Sequence, residues 1–449
     1  MSKSLLHKYS SAVPRYTSYP TAPHFHTGVD CDKYTQWLQA LGDDLSISLY
    51  LHIPYCDRLC WFCACHTKHT LKYEPITEYL QALHREIAAV GSLLASGAKV
   101  SAVHFGGGSP TMLRPDDLAA LMAALRHSFT FAADVEISVE MDPNDLDEGR
   151  YDALSAAGMT RASLGVQDFD PKVQKTINRI QTFAQTKSVV DAVRARGVRS
   201  VNCDILYGLP YQTLATVERT VADIVSLSPD RIALFGYAHV PWMKKHQTMI
   251  PEEALPGIDM RYAQMVRAGE LLVAAGYEAI GIDHFAKPTD SLAAASRNGT
   301  LRRNFQGYTD DAADALIGLG ASSIGQLPLG FVQNITATGE YQRMALGGGL
   351  AVVRGIELSA EDRMRAVVIE EIMCRFGFDF GSLRDIDAGL AETVVAEARA
   401  FAATNRDGVC RIEDDRLVIT DAGRPFARSV AAVFDSYLAN GRGRHSLAV

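Results

Sequence analysis

His52-Ile53-Pro54-Tyr55-Cys56-Asp57-Arg58-Leu59-Cys60-Trp61-Phe62-Cys63-Ala64-Cys65 gathers four cysteines within ten residues. The first three, spaced C-x3-C-x2-C, can turn three thiolates onto one inorganic centre and leave a fourth position open for substrate chemistry. Iron–sulfur clusters are held by such thiolates. A structural zinc site usually shows two C-x2-C-like pairs separated by a longer stretch, and no second pair exists here. Disulfides fit less well still, because cysteines adjacent in one tight loop are badly placed to bridge and the chain carries no secretory signal.

Outward from this loop, apolar β-branched runs alternate with helical stretches. Strands are predicted near 46–52, 99–105, 135–141, 161–166, 200–206 and 231–236, with another near 278–282. A helix over 182–196 is stopped by Gly197, and Gly158 and Gly276 do the same before Met159 and Tyr277. Repeated helix–Gly–strand units imply parallel crossovers, hence an α/β chain whose six or so units form an incomplete (β/α)6 TIM-like barrel. Active-site groups in such barrels collect at the C-terminal ends of the strands. Tyr50 with the cysteine loop, the Gly106-Gly107-Gly108 triplet, Glu140 with Asp142, Gln167, Asp204, and Tyr237 with His239 fall at successive predicted strand ends.

The organisation expected is an N-terminal arm (1–45), the partial barrel with its extension (46–350) and a small C-terminal helical, winged-helix-like domain (351–449). In the last, Ser359 with Asp362 marks a helix start, Met364, Val368, Ile372 and Phe376 form a buried stripe, and 410–413 with 417–420 form a hairpin. A lid or scaffold is favoured over a DNA reader, since the segment carries no basic stripe except Arg424, Arg428 and the Arg442/Arg444 tail. The net charge of −8 over 449 residues argues against general nucleic-acid or membrane-surface binding. With no apolar run long enough to span a bilayer and no signal-peptide start, a cytoplasmic protein is expected, in a compartment that keeps thiols reduced. Cys31, Cys203, Cys374 and Cys410 lack neighbours of ligand type and are read as packing residues.

The cysteine loop on the first strand–loop unit resembles the signature of the radical S-adenosylmethionine (AdoMet) enzymes. The extension to Cys65, together with Arg15-Tyr16-Thr17-Ser18-Tyr19-Pro20, Gly106-Gly107-Gly108-Ser109-Pro110, Gly165-Val166-Gln167-Asp168-Phe169, Asp204-Ile205-Leu206-Tyr207-Gly208-Leu209-Pro210 and Arg303-Asn304-Phe305-Gln306-Gly307-Tyr308, resembles the oxygen-independent coproporphyrinogen III oxidase family over nearly the whole chain. That resemblance implies a [4Fe–4S] cluster on Cys56, Cys60 and Cys63 and two AdoMet per chain. Reductive cleavage of AdoMet would then yield a 5′-deoxyadenosyl radical. It carries Tyr50, Gly107, Glu140 and Ile324 to the first AdoMet, and Phe62, Gly108, Ser109, Gln167, Arg179, Asp204 and Ala238 to the second. Arg179 would pair with a carboxylate and Asp204 would accept from ribose hydroxyls. Many relatives have Thr where this chain has Ser109, and the hydroxyl is kept. Taken alone, Cys65 could ligate iron, remain a free thiol near the radical, or be structural; the resemblance implies an essential residue that is not a ligand.

The implied reaction is anaerobic oxidative decarboxylation of two propionates of coproporphyrinogen III to vinyls, giving protoporphyrinogen IX in haem biosynthesis. The implied partners are this substrate and a low-potential, flavodoxin- or ferredoxin-like electron donor, and a monomer is expected. Arg15, Arg302, Arg303, Lys244 and Lys245 are cations available to a tetracarboxylate, and are equally readable as solvated surface charges. By the same resemblance Tyr16 and Tyr19 would cover the barrel mouth. Two other readings stay open: a haem-trafficking chaperone of the same superfamily, whose members generally lack the Cys63-Ala64-Cys65 ending, and a radical AdoMet porphyrin methyltransferase or haem-degrading enzyme.

Overall fold

Residues 3–144 and 146–438 are described by the structure, a computed structural model. Six strands, β1 (Ser46–Ile53), β2 (Lys99–Gly107), β3 (Thr130–Met141), β4 (Arg161–Gln167), β5 (Ser200–Tyr207) and β6 (Arg231–Gly236), pair in parallel and in chain order. Helices return the chain between them on the outer face. Local chemistry sets their limits: Thr182 and Gln185 close a capping box at the start of Phe183–Ala195. Gly197, at φ +87°, then takes the left-handed conformation that lets the chain leave that helix for β5.

The partial barrel expected from the sequence is present, within a longer open sheet. Ala315–Leu319 lies parallel to β1 on the side away from β2. Three antiparallel strands follow it: Ile324–Leu327, Gly330–Asn334 and Val352–Glu357. Beyond β6 the sheet ends in the antiparallel strands His284–Ala286 and Glu278–Ile280. The strand expected near 278–282 thus exists but reaches the sheet through a return strand instead of a parallel crossover. Val352–Glu357 lies past the boundary anticipated at 350 and is hydrogen-bonded into the same sheet.

Side-chain alternation explains why the interior is hollow. On β4 and β5 the buried Ala162, Leu164, Val166, Val201, Cys203 and Ile205 join the core under the helices. Between them Ser163, Gln167, Asn202 and Asp204 line an interior cavity. A packed barrel fills this space with branched apolar side chains; polar ones leave room for ligands.

The C-terminal body starts after Val352–Glu357, and its first helix, Ala360–Arg375, opens on the Ser359/Asp362 capping box expected from the sequence. A three-stranded sheet of Gly377–Asp379, Arg416–Ile419 and Cys410–Glu413 gives it the winged-helix character. The hairpin turns at Asp414 and Asp415, both with positive φ. Its core takes in Leu6, Tyr9, Val13, Tyr16 and Tyr19 from the arm, whereas Tyr34, Trp37 and Leu38 pack on the barrel core. The segment 1–45 is therefore shared between two cores. Tyr16 donates to Asp435 Oδ2 (3.0 Å) and Tyr19 pairs with Ser436 Oγ (2.9 Å), so these two rings anchor the arm to the C-terminal body and do not roof the barrel mouth. Arg428 is buried and donates to the carbonyls of Val13 and Pro14, which removes it from any basic surface stripe. Arg442 and Arg444 lie outside the described residues.

Candidate active site

The cysteine loop leaves β1 at Pro54 and is tied down on both flanks. At its base Tyr55–Cys56 pairs with Lys68–His69, with Lys68 N–H donating to the Pro54 carbonyl (2.6 Å) and Thr70 N–H to that of Cys56 (2.9 Å). On one side Trp61 N–H donates to the Ile177 carbonyl (2.9 Å) and Asn178 Nδ2 to that of Leu59 (2.9 Å). On the other, Lys244 Nζ, His246 Nε2 and Gln247 Nε2 meet the carbonyls of Cys65 (2.8 Å), Cys63 (2.7 Å) and Phe62 (2.9 Å). Loop backbone that could not otherwise satisfy its acceptors is thus fixed from outside.

The thiols differ among themselves. Burial pushes Cys60 up to about 11 against the pull of Arg179, and it pushes Cys56 up further. Cys63 is drawn down to about 7 by the hydrogen bond from the Cys65 thiol, over the opposing effect of burial, and Cys65 rises in step. The Cys65 N–H also points at Cys63 Sγ (3.4 Å). Among the described residues no three His, Cys, Asp or Glu side chains are gathered to hold a single metal ion. Three thiols on one loop tied down on both flanks are the donor type that a [4Fe–4S] cluster would take. The other cysteines behave as packing residues: Cys203, Cys374 and Cys410 are buried, and Cys31 Sγ contacts the Val352 carbonyl (3.2 Å).

Gly107 ends β2 at φ +109°, and a Cβ there would stand 2.6 Å from the His52 ring, so only glycine fits. Its N–H donates to Glu140 Oε2 (3.0 Å). The N–H groups of Gly108 and Ser109 are spent on the carbonyls of Ile53 (2.8 Å) and Tyr55 (2.7 Å), and the buried Ser109 hydroxyl pairs with Thr111 (2.9 Å). The glycine turn is therefore stitched to the strand carrying the cysteine loop.

Two cavities meet at Glu140. A space of about 190 Å³ is lined by Tyr50, His52, Glu140, Ser322 and Ile324. One of about 450 Å³ is lined by Phe62, Cys63, Ala64, Cys65, Glu140, Gln167, Asp204 and Ala238. Of the residues assigned from the sequence, Tyr50 and Ile324 line the smaller space, Phe62, Gln167, Asp204 and Ala238 the larger, and Glu140 both. Burial opposes ionisation of Glu140, but the His104 hydrogen bond and charge and the Gly107 N–H hold its carboxyl below the usual value. Asp204 is pushed up to about 6 by burial, against the Asn202 Nδ2 hydrogen bond (2.8 Å). Gln167 reaches the cavity from a strained φ of +71°, where β4 and β5 slip register. At the strands' N-terminal end, the ion pairs Arg161–Glu136 (2.6 Å) and Arg231–Asp310 (3.1 Å) floor the larger cavity, and Asp290 also pairs with Arg231 (2.7 Å).

Neither cavity is lined by Arg179, Gly107, Gly108 or Ser109. Arg179 stands behind the loop. Its Nη1 pairs with Asp142 Oδ2 (2.6 Å) and approaches Cys60 Sγ (3.7 Å), while Nη2 donates to the Gly165 carbonyl (2.7 Å) and Nε to Gln181 Oε1 (3.1 Å). The roles of His246 and Gln247, and of His52 and His104 beside Tyr50 and Glu140, escaped the sequence reading; for the first two, the polar run Lys244-Lys245-His246-Gln247 after β6 was the one visible signal.

Residues 50–224 match the Radical SAM superfamily and residues 358–426 the HemN C-terminal domain. Proteins named oxygen-independent coproporphyrinogen III oxidase are similar end to end: that of Bradyrhizobium diazoefficiens is 46% identical over 437 residues, covering 97% of each chain. That of Paracoccus denitrificans is 47% identical over 444 residues, covering 98% of this chain and 97% of its own. Among solved structures, the coproporphyrinogen III oxidase of Escherichia coli, described as a radical SAM enzyme, superposes with a TM-score of 0.90 at 35% identity, covering 95% of this chain and 100% of its own.

Proposed function

The chain belongs to the oxygen-independent coproporphyrinogen III oxidase family, and we propose that it converts two propionates of coproporphyrinogen III to vinyls without oxygen, giving protoporphyrinogen IX. The observation that carries this reading is the opening of Cys63, Ala64 and Cys65 onto the same cavity as Gln167 and Asp204. The cofactor atoms and the substrate atoms must share such a space. When bound, a [4Fe–4S] cluster and AdoMet supply a low-potential electron and a radical able to take hydrogen from an unactivated carbon.

In this reading Cys56, Cys60 and Cys63 hold the cluster, and the donors on 178 and 244–247 keep their loop from relaxing. Cys65, whose N–H and carbonyl already serve the loop, acts as the non-ligand thiol on the cavity wall. Tyr50, Glu140 and Ile324 bind one AdoMet and Phe62, Gln167, Asp204 and Ala238 a second, with Asp204 accepting from ribose hydroxyls. Gly107, Gly108 and Ser109 shape this end of β2 by fixing the loop and Glu140. The electron comes from a flavodoxin- or ferredoxin-like donor, and the working unit is a cytoplasmic monomer. The free state of all eight cysteines suits a reducing compartment. Among the described residues no helix is long and apolar enough to cross a membrane.

An anaerobic assay with a low-potential reductant tests the proposal. Each coproporphyrinogen III should consume two AdoMet, release two carbon dioxide and yield protoporphyrinogen IX. An iron-loaded protein that cleaves AdoMet yet leaves the propionates untouched, and instead binds haem or methylates a tetrapyrrole, would overturn it.

A further inference from the structure

A third cavity, of about 430 Å³, adjoins the larger one and shares Arg15, Gly236, Tyr237, Ala238, Phe305 and Gln306 with it. Four guanidinium groups face it from four parts of the chain: Arg15 on the arm, Arg261 on the helix Ile258–Ala274, Arg303 on the short strand Arg302–Asn304, and Arg428 in the C-terminal body. Asp283 is the one acidic side chain on its lining. Mutual repulsion is visible in the ionisation behaviour. Burial, then the charges of Arg15 and Arg303, brings Arg428 down to about 10. Although burial pushes Asp283 up, Arg303, His284 and Arg15 together hold it down at about 2.

The protein gives these cations mostly neutral partners. Arg261 Nη2 donates to the Tyr237 carbonyl (2.9 Å), Arg15 Nη2 to that of Gly236 (3.3 Å) and Arg428 Nη2 to that of Val13 (2.7 Å). The Arg303 side chain is only 4% exposed, its Nη1 lies 3.9 Å from Asp283, and its Nε and Nη1 have no hydrogen-bond partner; neither does Arg261 Nε. Buried guanidinium donors without acceptors are costly, and they persist where an anion completes them. Arg15 and Arg303 also open two of the sequence signatures.

We infer that this cavity is a carboxylate anchor. Resting on the substrate reading above, it takes a propionate of the tetrapyrrole that is not being decarboxylated and so aims a reacting propionate into the cavity beneath the cysteine loop. Arginine forks match carboxylate geometry. A carboxylate gripped by them is stabilised in its ionised form, which opposes loss as carbon dioxide, so the anchored group is one that stays. Arg303, Arg15 and Arg261 are positioning residues in this account.

The test is fluorescence-detected binding of coproporphyrin III, and of its tetramethyl ester, to the iron-loaded full-length protein. The native chain should prefer the acid. Arg303→Gln and Arg15→Gln should each weaken acid binding about tenfold or more and shrink the preference over the ester, while iron content and circular dichroism stay native. Arg15 is itself exposed, so it keeps the test decisive if the buried Arg303 variant does not fold. Native acid binding that neither variant alters would refute the anchor and leave the substrate reading standing. A native protein that neither binds the porphyrin acid nor turns over the porphyrinogen would refute both.

Discussion

Replacing Arg179 by Met separates two uses of that arginine. Arg179 and Asp142 pair at 2.6 Å with each side chain 9% exposed, and the guanidinium also serves Gly165 and Gln181. Removing one member of a buried pair typically costs about 3–5 kcal/mol, because the survivor is left charged and dry. Here Asp142 keeps two donors from Asn144, both at 3.0 Å, and Arg58 at 4.0 Å. Those contacts place the loss toward the lower end, about 3 kcal/mol. Urea unfolding of the metal-free protein measures it, and Asp142→Leu added to Arg179→Met should recover at least half, since an apolar pair of similar volume tolerates the site. The approach of Arg179 to Cys60 Sγ adds a second readout: iron should be lost faster from the variant under chelation. AdoMet stoichiometry per iron-loaded chain should not change. A variant within about 1 kcal/mol of the native chain that retains iron but loses one AdoMet would show that Arg179 is a ligand contact, and the reasoning from the ion pair would fail.

Changing Cys56, Cys60 or Cys63 to Ser should empty the cluster site, whereas Cys65→Ser should retain about four irons per chain, as a Cys-held cubane carries, and lose turnover; iron analysis showing Cys65→Ser empty would reverse the ligand assignment. Asp204→Asn should weaken one AdoMet binding event by roughly 1.5–3 kcal/mol. Because Asp204 ionises near about 6, that event should strengthen in the native chain as pH rises through this value and stay flat in the variant, as calorimetric titrations at several pH values would show. Glu86 is buried among donors from Gly320, Asn334 and Tyr341, and burial lifts it from 4.5 to about 7. Its folded pKa exceeds its unfolded one, so its contribution is complete below about 4.5 and is lost as pH rises through about 7. Unfolding midpoints should fall between pH 5 and 8 by the equivalent of about 3 kcal/mol at most, and a slope unchanged in Glu86→Gln would reject this origin.

The six barrel strands were legible because each carries its own alternation and its own helix stop, signals contained within some thirty residues. The lining followed only in part from strand position: Glu140 and Gln167 sit at the ends of β3 and β4, whereas Tyr50 and Asp204 line the cavities from within β1 and β5. What pairs with β1 was not legible. Ala315–Leu319 is a short apolar segment, and its register beside Ile47–Leu51 is set by tertiary packing across more than two hundred residues of chain. The donors that immobilise the cysteine loop left little trace for a similar reason. They bond to backbone carbonyls, which every residue has, so neither Lys244 nor Gln247 needs a partner of particular type. Arg179 shows the converse limit: a cation near strand-end carboxylates fits a ligand or a buried acid equally well in the sequence, and only the structure shows Asp142 2.6 Å away.

Charge at the third cavity was the least legible feature, and its dispersal explains why. Arg15, Arg261, Arg303 and Arg428 are unremarkable singly, and a net charge of −8 hides them. They converge only because Tyr16 and Tyr19 fasten the arm to the C-terminal body, and that body packs against the helix bearing Arg261. The barrel therefore supplies a polar interior able to hold cofactors, while the arm and the C-terminal body bring the cations to its open side. A tetracarboxylate macrocycle needs both. On this division of work, loosening the arm should disturb substrate orientation before it disturbs the cluster, since no arm residue hydrogen-bonds the loop that carries Cys56, Cys60 and Cys63 among the described contacts.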